Sequence, residues 1–123
     1  MNNRVINFRM WHPQTNRFYY LYLDELIGIG DRVINIPENS VLQQFTGLTD
    51  SNEKEIYEGD ILKISYGAMG DVIGQVLYEA DHGGYIFQWE RKGPNQNYIN
   101  LNCDVAFESV IIGNVNENSE LLN

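Results

Sequence analysis

Apolar and polar residues alternate with a period of two in nearly every apolar run of this chain. In residues 5–11, Ile6, Phe8 and Met10 fall on one side and Val5, Asn7, Arg9 and Trp11 on the other. That is the pattern of an extended strand, whose side chains point alternately to opposite faces. Residues 17–23 predict a second strand, rich in aromatics. His12-Pro13-Gln14-Thr15-Asn16 between them is a five-residue turn, with Pro13 fixing φ and Asn16 able to enter the left-handed region. Residues 1–23 therefore predict an N-terminal β-hairpin. Residues 24–31 suit a bend or one turn of helix, and Gly28 and Gly30 argue against anything longer. Residues 32–36 and 41–45 predict short strands, separated by Pro37-Glu38-Asn39-Ser40.

Residues 45–66 organise the rest. Residues 47–54 are polar and turn-forming, so they predict a surface loop beginning at Gly47. Glu55-Ile56-Tyr57-Glu58-Gly59-Asp60 predicts an acidic turn. In it Gly59 can take positive φ without steric cost, and the Asp60 carboxylate can accept nearby backbone N–H groups. Residues 61–66 predict a half-buried strand, with Leu62, Ile64 and Tyr66 on its core face.

Beyond it, residues 67–71 are a connection and residues 72–79 a strand. Gly74 inside that strand marks a bulge or a close backbone approach. Residues 80–84, with Asp81-His82-Gly83-Gly84, turn the chain back into a strand over 85–90, where Tyr85, Phe87 and Trp89 share a face. Residues 91–97 predict a loop, 98–102 and 106–115 the last strands, and 117–123 a loose tail that docks, if at all, through Leu121 and Leu122. No amphipathic stretch of ten residues predicts a helix. The sum is one mostly β domain over residues 1–123, a small antiparallel barrel or sandwich. The Gly59-Asp60-Ile61 turn, followed by strands over 61–66 and 72–78, looks like the start of an SH3-like barrel, an analogy of fold and not of function.

Composition narrows the classes. With 123 residues, 43% hydrophobic and 20% charged, the chain has enough apolar surface for a core of its own. Its net charge is −9. Residues 1–23 carry Arg4, Arg9 and Arg17 and no acid, so the remainder carries −12. A field of that sign repels nucleic acid and anionic membrane. Cys103 is the one cysteine, so no internal disulfide forms. No apolar run reaches the length of a membrane-spanning helix, and no signal peptide follows Met1-Asn2-Asn3-Arg4.

Three blocks carry a family likeness. The central one is Thr46-Gly47-Leu48, Asp50, Asn52 and Lys54-Glu55-Ile56-Tyr57-Glu58-Gly59-Asp60-Ile61. The first is Phe8-Arg9-Met10-Trp11 with Phe18-Tyr19-Tyr20. The last is Val110-Ile111-Ile112-Gly113-Asn114-Val115 with Glu117-Asn118 and Glu120-Leu121-Leu122. Together they resemble the YopX family of bacteriophage and prophage proteins over nearly the whole chain. Glu53 stands where the family usually has glycine, Asn116 where it has an aromatic, and Ser119 where it has proline. The resemblance implies a mostly β protein of phage or prophage origin; with the lone cysteine and no visible membrane span or signal peptide, the expected location is the cytoplasm of a bacterial host. The resemblance transfers no catalytic residue.

Candidate chemistry is sparse. Asp81 and His82 beside two glycines could serve a hydrolase, but they are also ordinary turn residues. His12 and His82 fit no metal-ligand spacing, and Glu53, Glu55, Glu58 and Asp60 lack the spaced oxygens of a calcium loop. Cys103, next to the acidic Asp104, is not expected to act as a nucleophile. The expectation is a protein without catalytic residues, metal or cofactor. The N-terminal hairpin is the binding candidate: Arg9, Trp11, Arg17, Phe18, Tyr20 and Tyr22 are the residue types of protein interfaces and of nucleic-acid grooves. As plain strand residues, they would bury the aromatics and leave the arginines outside. Gly47, Gly59 and Asp60 are the expected structural turn residues. The leading expectation is a non-enzymatic accessory protein that forms a homo-oligomer or binds an unidentified host or phage protein. Nucleic-acid binding, or acidic mimicry of DNA, is the alternative.

Overall fold

The computed structural model describes residues 5–22, 37–65, 67–89 and 97–122. The expected bend at 24–31, the strand at 32–36 and most of the loop at 91–97 lie outside them. The chain forms two antiparallel sheets. The first runs β2-β1-β3-β4 and the second β8-β7-β6-β5-β9. They make a sandwich-like all-β fold and do not close into a barrel.

In the first sheet, β1 (Asn7–His12) and β2 (Arg17–Tyr22) form the expected hairpin. Asn16 holds φ +54° and donates its N–H to the His12 carbonyl at 2.9 Å. His12 pairs with Arg17, so the loop is one residue shorter than the sequence predicts. β1 also pairs with β3 (Val41–Thr49), which pairs with β4 (Glu55–Tyr57). β3 runs four residues past the expected end. Gly47, at φ +88°, lies where its register shifts between Phe45 and Thr49, and the Thr46 hydroxyl donates to the Ile56 carbonyl at 2.8 Å. A polar composition marked residues 47–49 as loop, and a bulged edge accepts that composition equally well.

The Glu58-Gly59 turn leads from β4 into β5 (Asp60–Ser65) in the second sheet. β6 (Asp71–Glu79) and β7 (Gly84–Gln88) follow, then β8 (Tyr98–Asn100) and, after a short helix, β9 (Ser109–Asn114) beside β5. Gly74 is a close approach: a Cβ there would collide with the Gln88 carbonyl. Residues 106–107 are not strand but the end of helix α1 (Cys103–Phe107). The Asn102 side chain caps it by accepting the Val105 N–H at 2.9 Å, and the helix puts Ala106 into the core. That core is Ile56, Leu62, Ile64, Val76, Phe87, Leu101 and Ala106, with Trp89 and Ile111 packed against it. Residues 119–122 form a 3-10 turn beside β6, with Leu121 and Leu122 half-buried.

Candidate functional site

The face of β1 that carries Asn7, Arg9 and Trp11 turns inward. Arg9 is 5% exposed and Trp11 8%. For Arg9 this reverses the reading in which the arginines of the hairpin lie outside it; Arg17 does lie outside. The physical reason is a ready-made anion opposite Arg9. Its Nη2 meets Asp60 Oδ1 at 2.8 Å. Its Nε donates to Gln43 Oε1 at 2.9 Å, and Nη2 also donates to the Glu58 carbonyl at 3.1 Å. The guanidinium lies between two rings, 4.2 Å from the Phe18 centroid and 4.9 Å from that of Tyr57. Paired, bonded and stacked, the charge tolerates burial.

Asp60, 2% exposed, accepts the Tyr57 N–H on its other oxygen at 2.8 Å. Burial pushes its carboxyl above the usual range, and Arg9 and that N–H pull it back only in part. Gly59 holds φ +84°, and a Cβ there would collide with the Gln43 amide. Its N–H reaches the Val76 carbonyl at 2.8 Å, and its carbonyl accepts from Val115 at 2.8 Å. Gly59 and Asp60 thus bind the two sheets together, as turn residues that also join the hairpin to the core. Glu58 accepts the Gln44 N–H at 2.8 Å.

A second buried carboxylate, Asp50, was visible in the sequence only as a turn former. Its Oδ1 accepts from Asn52 at 2.8 Å and Lys54 at 3.0 Å, and its Oδ2 from Ile111 at 3.0 Å. Burial pushes this carboxyl up, but the three N–H groups and the Lys54 charge outweigh it and hold it below the usual range. The same loop carries Glu53 at φ +64°, a conformation that strains residues with a Cβ.

Between the hairpin and this loop lies a groove of about 500 Å³, lined by Arg9, Tyr20, Tyr22, Glu53, Glu55 and Tyr57 among others. Of the hairpin candidates, the structure brings Arg9, Tyr20 and Tyr22 to this groove. It lays Phe18 edge-to-face on Trp11 and leaves Arg17 exposed. Tyr57 is the groove residue that sequence reasoning passed over. Its place two residues before Gly59, in an otherwise acidic turn, was the available signal. Asp81 and His82 occupy an exposed 3-10 turn, and the His82 ring packs edge-to-face on Tyr98. Among the described residues, no group of three or more His, Cys, Asp or Glu side chains is placed to hold a metal ion, and no helix is long and apolar enough to cross a membrane.

The fold and the groove define a two-sheet all-β protein whose N-terminal hairpin is fastened by a buried ion pair. The family profile described as YopX protein matches residues 7–123, and the chain belongs to that family. The crystal structure of protein EF1440 from Enterococcus faecalis is similar, with a TM-score of 0.60 at 22% identity, over 98% of this chain and 100% of that one. At that identity the likeness concerns the fold. No curated protein sequence matches the chain.

Proposed function

We propose that this protein is a non-enzymatic phage or prophage accessory protein that acts by binding protein, beginning with a second copy of itself. One observation carries the reading. Among the described residues, β2 lies at the edge of its sheet and exposes Tyr19, Tyr20 and Tyr22 at 44%, 47% and 37%. An edge strand offers a row of unpaired backbone groups, and soluble proteins usually guard such an edge with charge or proline. Here Arg17 is its one charged residue. Strand addition would satisfy those groups, and the tyrosines would supply low-entropy contact area.

The alternatives have less support. Nucleic-acid binding loses Arg9, whose charge is held by Asp60, and the net charge of −9 opposes it. A hydrolase would rest on Asp81 and His82, which stay in an exposed turn. The test is light scattering after size exclusion on the wild type and on a Tyr19→Lys, Tyr20→Lys variant. The wild type should exceed the 14.2 kDa of one chain, and the variant should fall toward it. A monomeric wild type at micromolar concentration would overturn self-association.

A further inference from the structure

The end of β5 and helix α1 enclose a recess of about 250 Å³, lined by Ile64, Ser65, Asp104, Val105 and Glu108. Ile64 belongs to the core and Val105 packs against it, so the floor is apolar. Asp104 and Glu108 stand four residues apart along α1 and its C-cap, which puts them on one side of the helix. Both are exposed, and among the described residues neither is in an ion pair. None of the residues lining the recess is a base. The same helix exposes Phe107 at 72%, the highest value of any large apolar side chain among the described residues.

An apolar floor beside two carboxylates suits a side chain with a long aliphatic stem and a cation at its end. Arginine fits best, because its planar fork can donate to both carboxylates at once. This chain carries such an arginine on the strand proposed to self-associate. Arg17 opens β2 at the tip of the hairpin, beside the exposed turn residues Gln14, Thr15 and Asn16. It is itself exposed and, among the described residues, in no ion pair. It does not line the recess of its own chain. Charge favours the match over a longer range as well. Residues 1–23 hold three arginines and no acid, while the rest of the chain carries −12.

We infer that Arg17 of one copy enters the recess between β5 and α1 of another, laying its stem on Ile64 and Val105 and donating to Asp104 and Glu108. The inference rests on the self-association reading and adds where on the neighbour the hairpin lands. Backbone pairing at a strand edge accepts many partners, whereas an arginine matched to two carboxylates selects one surface. Arg9 and Asp60 use the same pairing inside the chain. Arg17 uses it between chains.

The test is a charge exchange on the whole protein, read as the association constant from sedimentation over a concentration series. Arg17→Glu should weaken association at least about tenfold, and so should Asp104→Lys combined with Glu108→Lys. All three positions are exposed, so both variants should keep the wild-type denaturation midpoint. An equimolar mixture of the two variants should recover wild-type association, because each changed site then meets its opposite charge on the other protein. Lys54→Glu makes the same charge change at another exposed base and should leave association unchanged. Wild-type association in Arg17→Glu would overturn the proposal. So would a mixture that fails to recover, or a loss in Lys54→Glu as large as that in Arg17→Glu. If the Tyr19→Lys, Tyr20→Lys variant dissociates and Arg17→Glu does not, this inference falls and the reading of β2 stands. If the charge exchange works and the tyrosine variant associates normally, the reverse holds. A monomeric wild type would overturn both.

Discussion

Gly47 and Gly59 share nearly the same backbone angle, φ +88° and +84°, but not the same surroundings. A Cβ at Gly47 meets nothing within 4 Å, whereas at Gly59 it strikes the Gln43 amide that holds Arg9. Gly47→Ala should therefore cost about 1 kcal/mol through strain alone. Gly59→Ala should cost about 3 kcal/mol, strain and overpacking together. Urea denaturation separates them, and equal losses would mean that the turn is not the joint described above. Asp60 belongs to the same joint. Asp60→Ala strands the buried Arg9 charge and should cost about 3–5 kcal/mol, while Arg9→Met with Asp60→Leu should lose much less. A double-mutant cycle reads the difference directly.

At the scale of elements, the two strands of the hairpin have different duties. β1 is bonded on both sides, by β2 and β3, and buries Arg9, Met10 and Trp11. Among the described residues, β2 is bonded by β1 along one side and is largely exposed. Trp11→Ala should cost about 3 kcal/mol of stability, and Tyr22→Ala less than about 0.5 kcal/mol. Thermal denaturation of the two variants decides, and a Tyr22 variant as unstable as the Trp11 variant would place β2 in the core. Both residues sit in aromatic strands of similar composition, so sequence alone grouped them as one candidate interface. Pairing order splits them, because only a strand between two others is covered on both edges.

For the whole molecule, the two buried carboxylates bias stability in opposite directions with pH. The Asp50 carboxyl is held low in the folded protein, so its contribution is fully present above the unfolded carboxylate range and is lost as pH falls through its folded value. Asp60 is held high, so the folded state binds its proton longer and gains relative stability as pH falls through that value. Asp50→Asn turns an amide donor toward N–H groups and should cost about 2 kcal/mol at neutral pH. The gap to wild type should close once acid has protonated Asp50 itself. Denaturation midpoints followed from pH 7 down through the folded Asp50 value, which lies below that of an ordinary aspartate, test this. A gap that persists in acid would show that Asp50 acts through shape and not through charge.

Local pattern was enough to determine that the chain is built of strands, where the hairpin turns, and that Gly59-Asp60 is a turn of structural weight. Each of these depends on neighbours within a few residues: the alternation of β1 and β5, the left-handed Asn16, the positive φ of Gly59. The extension of β3 through Gly47 and the short helix before β9 were missed because their determinants are distant. Thr46 bonds Ile56, and Ala106 finds a place in a core built from β5, β6 and β7. The groove was out of reach for the same reason. Which face of β1 is inward cannot be read from Asn7, Arg9 and Trp11 themselves. It was decided by Asp60, fifty-one residues further on, whose carboxylate supplies the counter-charge for a buried Arg9; on the same side Tyr20 meets Tyr57 edge to face.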